Sequence, residues 1–261
     1  FKNGVDPKSV TFDTGYGQEA IESFTVFERL QSEGVIPAGV KFQVCIPTPL
    51  APGYNFVSPS AQDDFIPVYT DHIIGEVRKI ADAIPHGRLS IQWDVCQEVL
   101  MWEDYYDYDR PGYKEEIFSV LAQIGDGVPA DVELGYHLCY GSPRDEHLVQ
   151  PKDTFNMVEM MHGIAAAVNR TIEFFHIPVP KERDDDAYFA PLADLALSDG
   201  TDLYIGCVHH DDESGDASRL AAAQKYAQVD GIGSECGWGR ADPDRVPGLL
   251  TSHGKLLAEY S

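Results

Sequence analysis

Histidine and cysteine residues stand near the carboxyl ends of short apolar runs, at spacings that suit a metal ion. The segment VELGYHLCYGS carries His137 and Cys139, and the segment IGSECGWGR carries Cys236. Side chains two positions apart in an extended segment point to the same face, so one imidazole and one thiolate can share a metal. A second cysteine adds to the nitrogen and sulfur set that zinc prefers. These three residues are therefore candidate metal ligands.

Polar residues also mark three further apolar runs. They are Glu173 and His176 in IEFFHIPVP, His209, His210, Asp211 and Asp212 at the end of LYIGCVHHDD, and Asp94 at the end of LSIQWD. Histidine titrates near neutral pH, so the HHDD run could supply a proton to a leaving group. A solvated loop explains that run equally well. The other cysteines, Cys45, Cys96 and Cys207, lie beside apolar neighbours and are expected to be buried thiols.

Short β-rich runs alternate with longer amphipathic runs, which is the pattern of repeated βα units around a parallel sheet. Strands are predicted at residues 10–13, 40–46, 89–95, 132–139, 172–179, 202–208 and 231–236. Helices are predicted at residues 19–31, 63–83, 114–123, 154–168, 217–229 and 243–259.

Seven βα units without a Gly/Ser-rich linker predict a single domain over residues 1–261. The expected fold is a (β/α)8 TIM barrel whose first βα unit lies upstream of, or is missing from, the visible chain. A doubly wound open sheet is the alternative, but GYGQEA at residues 15–20 is a poor substitute for its glycine-rich phosphate turn. In a barrel, active groups belong at the carboxyl ends of strands, where the candidate ligands lie.

Composition excludes several classes of partner. Lys and Arg total 19 against 43 Asp and Glu, a formal net charge of −24, which repels a phosphate backbone and excludes nucleic acid as an expected partner. No apolar run reaches the roughly 18 residues of a transmembrane helix, and the chain starts without a signal peptide pattern. A cytoplasmic protein without a membrane partner is therefore expected. The odd number of cysteines, 5, favours reduced thiols over a disulfide framework.

Three segments resemble signatures of the catalytic barrel of cobalamin-independent methionine synthase. They are HLCYGS at residues 137–142, ECGWGR at residues 235–240 and IQWD at residues 91–94. Their order and approximate separations agree with that family, and VKFQVCIPTPLAPGYNF at residues 40–56 is similar to a further family segment. The chain resembles the short, core-only forms. It is also similar to the wider superfamily, which includes epoxyalkane:coenzyme M transferase and, more remotely, uroporphyrinogen decarboxylase.

The resemblance implies a zinc ion with four protein ligands and a nearby substrate. It favours His176 as the fourth ligand, with Glu173 as the alternative, and it assigns a substrate-binding role to Asp94. The family's DEPA is replaced here by DVCQ, which weakens the case for an amino-acid substrate. The complete set of candidates is: metal ligands His137, Cys139, Cys236 and His176 (or Glu173); substrate-binding residues Asp94, Glu98, Tyr140 and Trp238; catalytic residues His209, His210 and Asp211.

The activity implied by the resemblance is a zinc-dependent S-alkyl transfer, most specifically methyl transfer to homocysteine as in methionine biosynthesis. Zinc lowers the pKa of a coordinated thiol, which then acts as a thiolate nucleophile. The implied partners are a small-molecule thiol, an alkyl donor and, for some donors, a methyl-carrier protein. Thiol addition to an epoxide, or the reverse lyase reaction, is one alternative. A metal-storing or regulatory barrel and a metal-free enzyme like uroporphyrinogen decarboxylase are the others.

Overall fold

The computed structural model describes residues 5–106, 111–142 and 147–260. This part of the chain forms six strands and nine α-helices that alternate as an α/β fold. The strands are β1 (Phe42–Pro47), β2 (Leu89–Val95), β3 (Glu133–Leu138), β4 (Phe174–Pro178), β5 (Asp202–Val208) and β6 (Gly231–Ser234). The helices are α1 (Tyr16–Ser32), α2 (Leu50–Phe56), α3 (Pro59–Ala83), α4 (Gln97–Trp102), α5 (Tyr113–Asp126), α6 (Phe155–Ala167), α7 (Asp186–Phe189), α8 (Glu213–Ala223) and α9 (Val246–Tyr260).

Local sequence explains where these elements begin and which face they bury. Helix α3 starts with Pro59, whose fixed φ angle suits the first helical turn. Its buried residues include Ile73, Val77 and Ile80, which recur at helical spacing. Strand β2 is buried at almost every position, as parallel strands covered on both faces are.

The strands are hydrogen-bonded in the order β1-β2-β3-β4-β5-β6, and the pairs β1–β2, β4–β5 and β5–β6 are parallel. The prediction of a closed (β/α)8 barrel is wrong. Closure gives every strand two neighbours, whereas β1 and β6 are the edges of the six-stranded sheet that the described residues form. The sequential order also lacks the reversal that defines a doubly wound sheet.

The predicted strand at residues 10–13 is absent, because this segment packs through an aromatic side chain and has no strand pairing. The ring of Phe12 lies 5.7 Å from Phe65, 5.1 Å from Tyr69 and 5.5 Å from His72. The other six predicted strands and all six predicted helices are present, β2 and β5 with the predicted bounds and the rest with shifted ends. Helices α2, α4 and α7 were not predicted. Cys45 is exposed rather than buried, because β1 is an edge strand.

Two compact units divide the chain. The first comprises residues 1–94, 111–135 and 167–172, and the second comprises residues 95–110, 136–166 and 173–261. His137, Cys139 and Cys236 all belong to the second unit, whose core includes the fully buried Tyr136 and Phe175. Within the described ranges, no helix combines the length and the apolar character needed to span a membrane.

Candidate metal centre

His137, Cys139 and Cys236 converge at the carboxyl ends of two strands. His137 lies in β3, Cys139 follows that strand by one residue, and Cys236 follows β6 by two. One potential ligand atom from each residue lies within 4.8 Å of the others. His137 and Cys139 are buried, and Cys236 is partly exposed. The alternation of side chains along an extended chain thus brings the first two together, as the sequence predicted.

The distances in this group fit a tetrahedral metal ion. The Cys139 and Cys236 Sγ atoms are 3.8 Å apart. Two sulfurs each bound about 2.3 Å from a tetrahedral zinc ion are separated by about 3.8 Å, so the pair already has the required spacing. The Nε2 atom of His137 is buried and has no hydrogen-bond partner in the described part of the chain. An imidazole nitrogen and two thiols are a donor set that zinc prefers.

Two hydrogen bonds from backbone N–H groups hold Cys139 in place, and one of them is donated to its sulfur. The Cys139 N–H donates to the Val95 carbonyl at 3.0 Å, and the Gly141 N–H donates to the Cys139 Sγ at 3.3 Å. Gly141 has a φ of 72°, a left-handed conformation in which glycine avoids strain. A side chain at this position would also approach Leu148 to 2.8 Å. The HLCYGS turn therefore depends on this glycine.

The two thiols resist ionisation in the absence of a cation. The contact with Cys236 lowers the pKa of Cys139, but the neighbouring Cys96 and burial outweigh it, so that this pKa is raised. The contact with Cys139 and burial raise the pKa of Cys236, although His137 opposes the shift. Thiolates bind metal, so the group needs the positive charge of a bound cation to hold both sulfurs ionised. Cys96 also belongs to this thiol cluster, although its sequence context had suggested only an inert buried thiol.

The two candidates for a fourth ligand occupy different places on β4. Glu173 immediately precedes the strand, at its amino end, and its carbonyl accepts a hydrogen bond from the Asp202 N–H at 2.9 Å. His176 lies within the strand, and its Nδ1 is 2.8 Å from the Nδ1 of His137. Burial lowers the pKa of His176 well below its usual range, and the neighbouring His137 adds to this effect. The group of mutually close ligand atoms among the described residues includes neither of them.

A buried ion pair holds the chain next to Cys236. Glu235 pairs with His147, whose side chain is only 2% exposed. Burial raises the pKa of Glu235, but the hydrogen bond and the charge of His147 outweigh this effect and hold the pKa below its usual range. The sequence analysis missed His147, which follows no strand and has no local signature.

A pocket of about 190 Å³ opens beside Cys236. Its lining residues come from the last positions of β5 and β6, from the segments that follow β4, β5 and β6, and from the start of α9 and the residue before it. They include Lys181, His209, His210, Cys236, Trp238 and Arg245. Ligands of parallel α/β sheets bind outside the carboxyl ends of the strands, which is where these segments lie. The pocket is therefore the candidate substrate site.

The four residues of the HHDD run have different environments. His209 is buried in the pocket wall, and its Nε2–H donates to the Val179 carbonyl at 2.8 Å. Burial lowers the pKa of His209, and the charge of Arg219 adds to this effect. His210 lies at the pocket and pairs with Asp211, whose side chain is 81% exposed. Of the predicted catalytic residues, His209 therefore has the environment best suited to chemistry.

A buried arginine that the sequence analysis missed supports this wall of the pocket. Arg219, on α8, donates to the carbonyls of Cys207 at 2.9 Å and Lys181 at 2.6 Å. It also pairs with the carboxylates of Asp212 and Asp216. Arg219 thereby connects the end of β5, the segment after β4 and the first turn of α8.

The four predicted substrate-binding residues are placed as follows. Trp238 lines the pocket and donates its Nε1–H to the Ser234 hydroxyl at 2.7 Å. Tyr140 is fully buried, with its hydroxyl 3.4 Å from that of Tyr188, and Glu98 is fully buried in α4. Asp94 ends the first unit near the end of β2 and accepts a hydrogen bond from Gln92 at 2.8 Å. Only Trp238 is therefore part of the pocket wall.

Comparisons with known proteins agree with the fold. No protein-family model and no curated protein matches the sequence. A crystal structure from Listeria monocytogenes, described as the "Putative Vitamin-B12 Independent Methionine Synthase", matches with a TM-score of 0.60 and 16% sequence identity. The alignment covers 92% of this chain and 69% of that chain. The likeness is one of fold. It establishes a distant structural relationship to that protein.

Proposed function

We propose that this protein is a zinc-dependent S-alkyl transferase that activates a small thiol, with methyl transfer to a homocysteine-like acceptor as its most specific form. The observation that carries the proposal is the His137, Cys139 and Cys236 group, whose two sulfurs have the spacing of tetrahedral zinc ligands. The description of the Listeria structure as a "Putative Vitamin-B12 Independent Methionine Synthase" favours the same chemistry. A metal-free decarboxylase would not require these three residues to meet.

Three protein ligands and an adjoining pocket are the arrangement of a catalytic site rather than a closed structural one. When bound, zinc lowers the pKa of a coordinated thiol and keeps it as a thiolate near neutral pH. His137, Cys139 and Cys236 would hold the ion. Cys236 also lines the pocket, so a thiol in the pocket would lie beside the ligand group.

His209 is suited to accept the proton of an incoming thiol. Its Nε2 carries the hydrogen that is donated to the Val179 carbonyl, so Nδ1 of the neutral ring is the basic atom. Its lowered pKa keeps the ring neutral at pH 7. A neutral histidine accepts a proton, so we assign His209 the role of a base rather than that of an acid.

Metal analysis and zinc-edge X-ray absorption test the proposal directly. We expect about one zinc ion per chain with two sulfur ligands, and a third sulfur after addition of homocysteine or 2-mercaptoethanesulfonate. Ethanolamine, which lacks the thiol, serves as the control and should leave the sulfur count unchanged. The proposal would be contradicted if the protein contained no zinc after loading. It would also be contradicted if the zinc gained no sulfur ligand from either added thiol.

The charge of the pocket favours a thiol with an anionic tail, such as the acceptor of a coenzyme M transferase-like reaction. Lys181 lines the pocket and donates to the His210 carbonyl at 3.3 Å. In the described part of the chain, no carboxylate forms an ion pair with Lys181. Arg245 adds a second cationic side chain to the lining. The lining also includes Glu235, whose carboxylate is paired with His147. An anionic group in the pocket would therefore meet the positive charges of Lys181 and Arg245 in an otherwise strongly acidic protein.

Replacing Lys181 with Met should weaken binding of 2-mercaptoethanesulfonate about tenfold, since a charge-assisted hydrogen bond contributes about 1.5 kcal/mol. Binding of the neutral 2-mercaptoethanol should stay the same. Titration of the cobalt-substituted protein, followed by sulfur-to-cobalt absorption, measures both constants. Lys152→Met is the control, because that side chain is 96% exposed and does not line the pocket. Equal losses for the charged and the neutral thiol would rule out a role in charge recognition.

A further inference from the structure

The rings of His137 and His176 meet edge to edge. Their Nδ1 atoms are 2.8 Å apart, while the ring centroids are 4.7 Å apart and the ring planes differ by 24°. The nitrogen contact is far shorter than the centroid separation, so the rings are nearly coplanar and face each other through Nδ1. This is the geometry of a hydrogen bond in which one Nδ1 donates and the other accepts.

The opposite edge of His176 is enclosed by glycines on β5 and β6. A Cβ atom at Gly206 would lie 2.9 Å from the His176 Nε2, and a Cβ atom at Gly233 would lie 3.0 Å from it. Both distances are shorter than an ordinary contact, so the backbone of β5 and β6 approaches the ring closely because these residues have no side chain. His176 is therefore held between His137 on one edge and the two glycines on the other.

Only one nitrogen of His137 is left to face the thiols. Its Nδ1 is engaged with His176, whereas its buried Nε2 has no hydrogen-bond partner within the described ranges. A metal-bound imidazole carries its hydrogen on the other nitrogen and usually donates it to a nearby acceptor. With Nε2 directed to the metal, His137 would donate its Nδ1–H to the Nδ1 of His176.

We propose that His176 is a positioning residue that accepts this hydrogen bond and orients His137, and that it does not bind the metal. This inference rests on the proposed zinc site and replaces the expectation that His176 is the fourth ligand. His137, Cys139 and Cys236 would then be the three protein ligands, and a substrate thiol would have room to serve as the fourth.

Cadmium-113 substitution followed by NMR tests this assignment in the full-length protein. Scalar coupling from the metal is expected to the β-protons of Cys139 and Cys236 and to the ring of His137, and no coupling to the ring of His176. Coupling to both histidine rings would overturn the inference and leave the proposed zinc site intact. A chain that takes up neither cadmium nor zinc would instead overturn the proposed function, and the inference with it.

Two variants of His176 distinguish a residue that orients His137 from one that binds the metal. His176→Leu removes the acceptor and is expected to lower zinc affinity about 10- to 100-fold while the metal keeps one imidazole and two sulfurs. His176→Asn places an amide oxygen near the former Nδ1 and should retain most of the affinity. Equal losses in the two variants, or an imidazole missing from the metal in His176→Leu, would refute the positioning role. If His176→Leu fails to fold, the wild-type cadmium spectrum still decides the question.

Discussion

Replacing Cys139 or Cys236 with Ser is expected to abolish zinc binding and thiol activation together. Each sulfur would bind the proposed metal directly, so its loss should lower the affinity by more than the 10- to 100-fold that follows the loss of an outer hydrogen-bond partner. We therefore expect zinc affinity to fall by more than about 100-fold in either variant. Competition with a chromogenic chelator measures the affinity, and elemental analysis measures the stoichiometry.

Cys96→Ser is the matched control for this experiment. Cys96 interacts with Cys139, but it lies outside the group of mutually close ligand atoms. This variant removes a thiol of similar environment and is expected to retain about one zinc ion per chain. Full zinc occupancy in both Cys139→Ser and Cys236→Ser would show that the site described here is wrong. Loss of zinc binding in Cys96→Ser alone would show that the metal is bound by a different set of residues.

The alternation of short apolar runs with longer amphipathic runs was sufficient to predict the βα order and most of the strands. Strands such as β2 and β5 consist of short apolar runs with clear ends, and a local pattern identifies them. Closure of the sheet is a different property. It depends on pairing between strands far apart in the sequence, and no local pattern shows that β1 and β6 are edges. The run at residues 10–13 has strand-like residues, but Phe12 packs among aromatic rings.

The convergence of the three candidate metal ligands was predictable because simple geometry brings them together. His137 and Cys139 share a face through the two-residue period, and the carboxyl ends of parallel strands meet at one edge, which brings Cys236 close. His147 was not predictable in this way, because it lies in a segment without periodic structure and only tertiary packing places it there. Cys96 follows β2 by one residue, as Cys139 follows β3, but its apolar neighbours had suggested only a buried thiol.

Arg219 could have been suspected from one local feature. It follows Asp216 by three positions, a spacing that puts both side chains on one face of α8. The same helix is rich in small residues, and a single arginine among them is usually expected to be exposed to solvent. Burial of the pair depends on the neighbouring ends of β4 and β5, whose carbonyls complete the hydrogen bonds of the guanidinium. The sequence does not specify those contacts.

Replacing Arg219 with Met is expected to lower the free energy of unfolding by about 3–5 kcal/mol, because it leaves a buried carboxylate without its cation. The side chains of Arg219 and Asp216 are 1% and 2% exposed, so water cannot replace the lost partner. Chemical denaturation measures the change. The control is Lys225→Met, which breaks an ion pair whose members are 57% and 61% exposed and should leave the free energy of unfolding nearly unchanged.

The free energy of unfolding of Arg219→Met should depend on pH because Asp216 is buried. Burial raises the pKa of Asp216, although Arg219 and the His209 N–H oppose the shift. Without Arg219 that pKa rises further above the unfolded-state value. A carboxylate with a raised pKa destabilises the fold when it is ionised, so the deficit should be largest at neutral pH and should shrink as the pH falls through the folded pKa. The stability difference from the wild type, measured by denaturation at a series of pH values below 7, should therefore become smaller as the pH falls.

Asp216→Asn in the Arg219→Met background tests the source of the deficit. The double variant removes the buried charge and should regain about 1–3 kcal/mol relative to Arg219→Met. If Asp216→Asn restores no stability, the loss is due to the hydrogen bonds that Arg219 donates to the carbonyls of Cys207 and Lys181. In that case thiol affinity should fall with stability, because Lys181 is part of the pocket wall. Recovery of stability without recovery of thiol binding would instead show that Arg219 shapes the pocket independently of its ion pair.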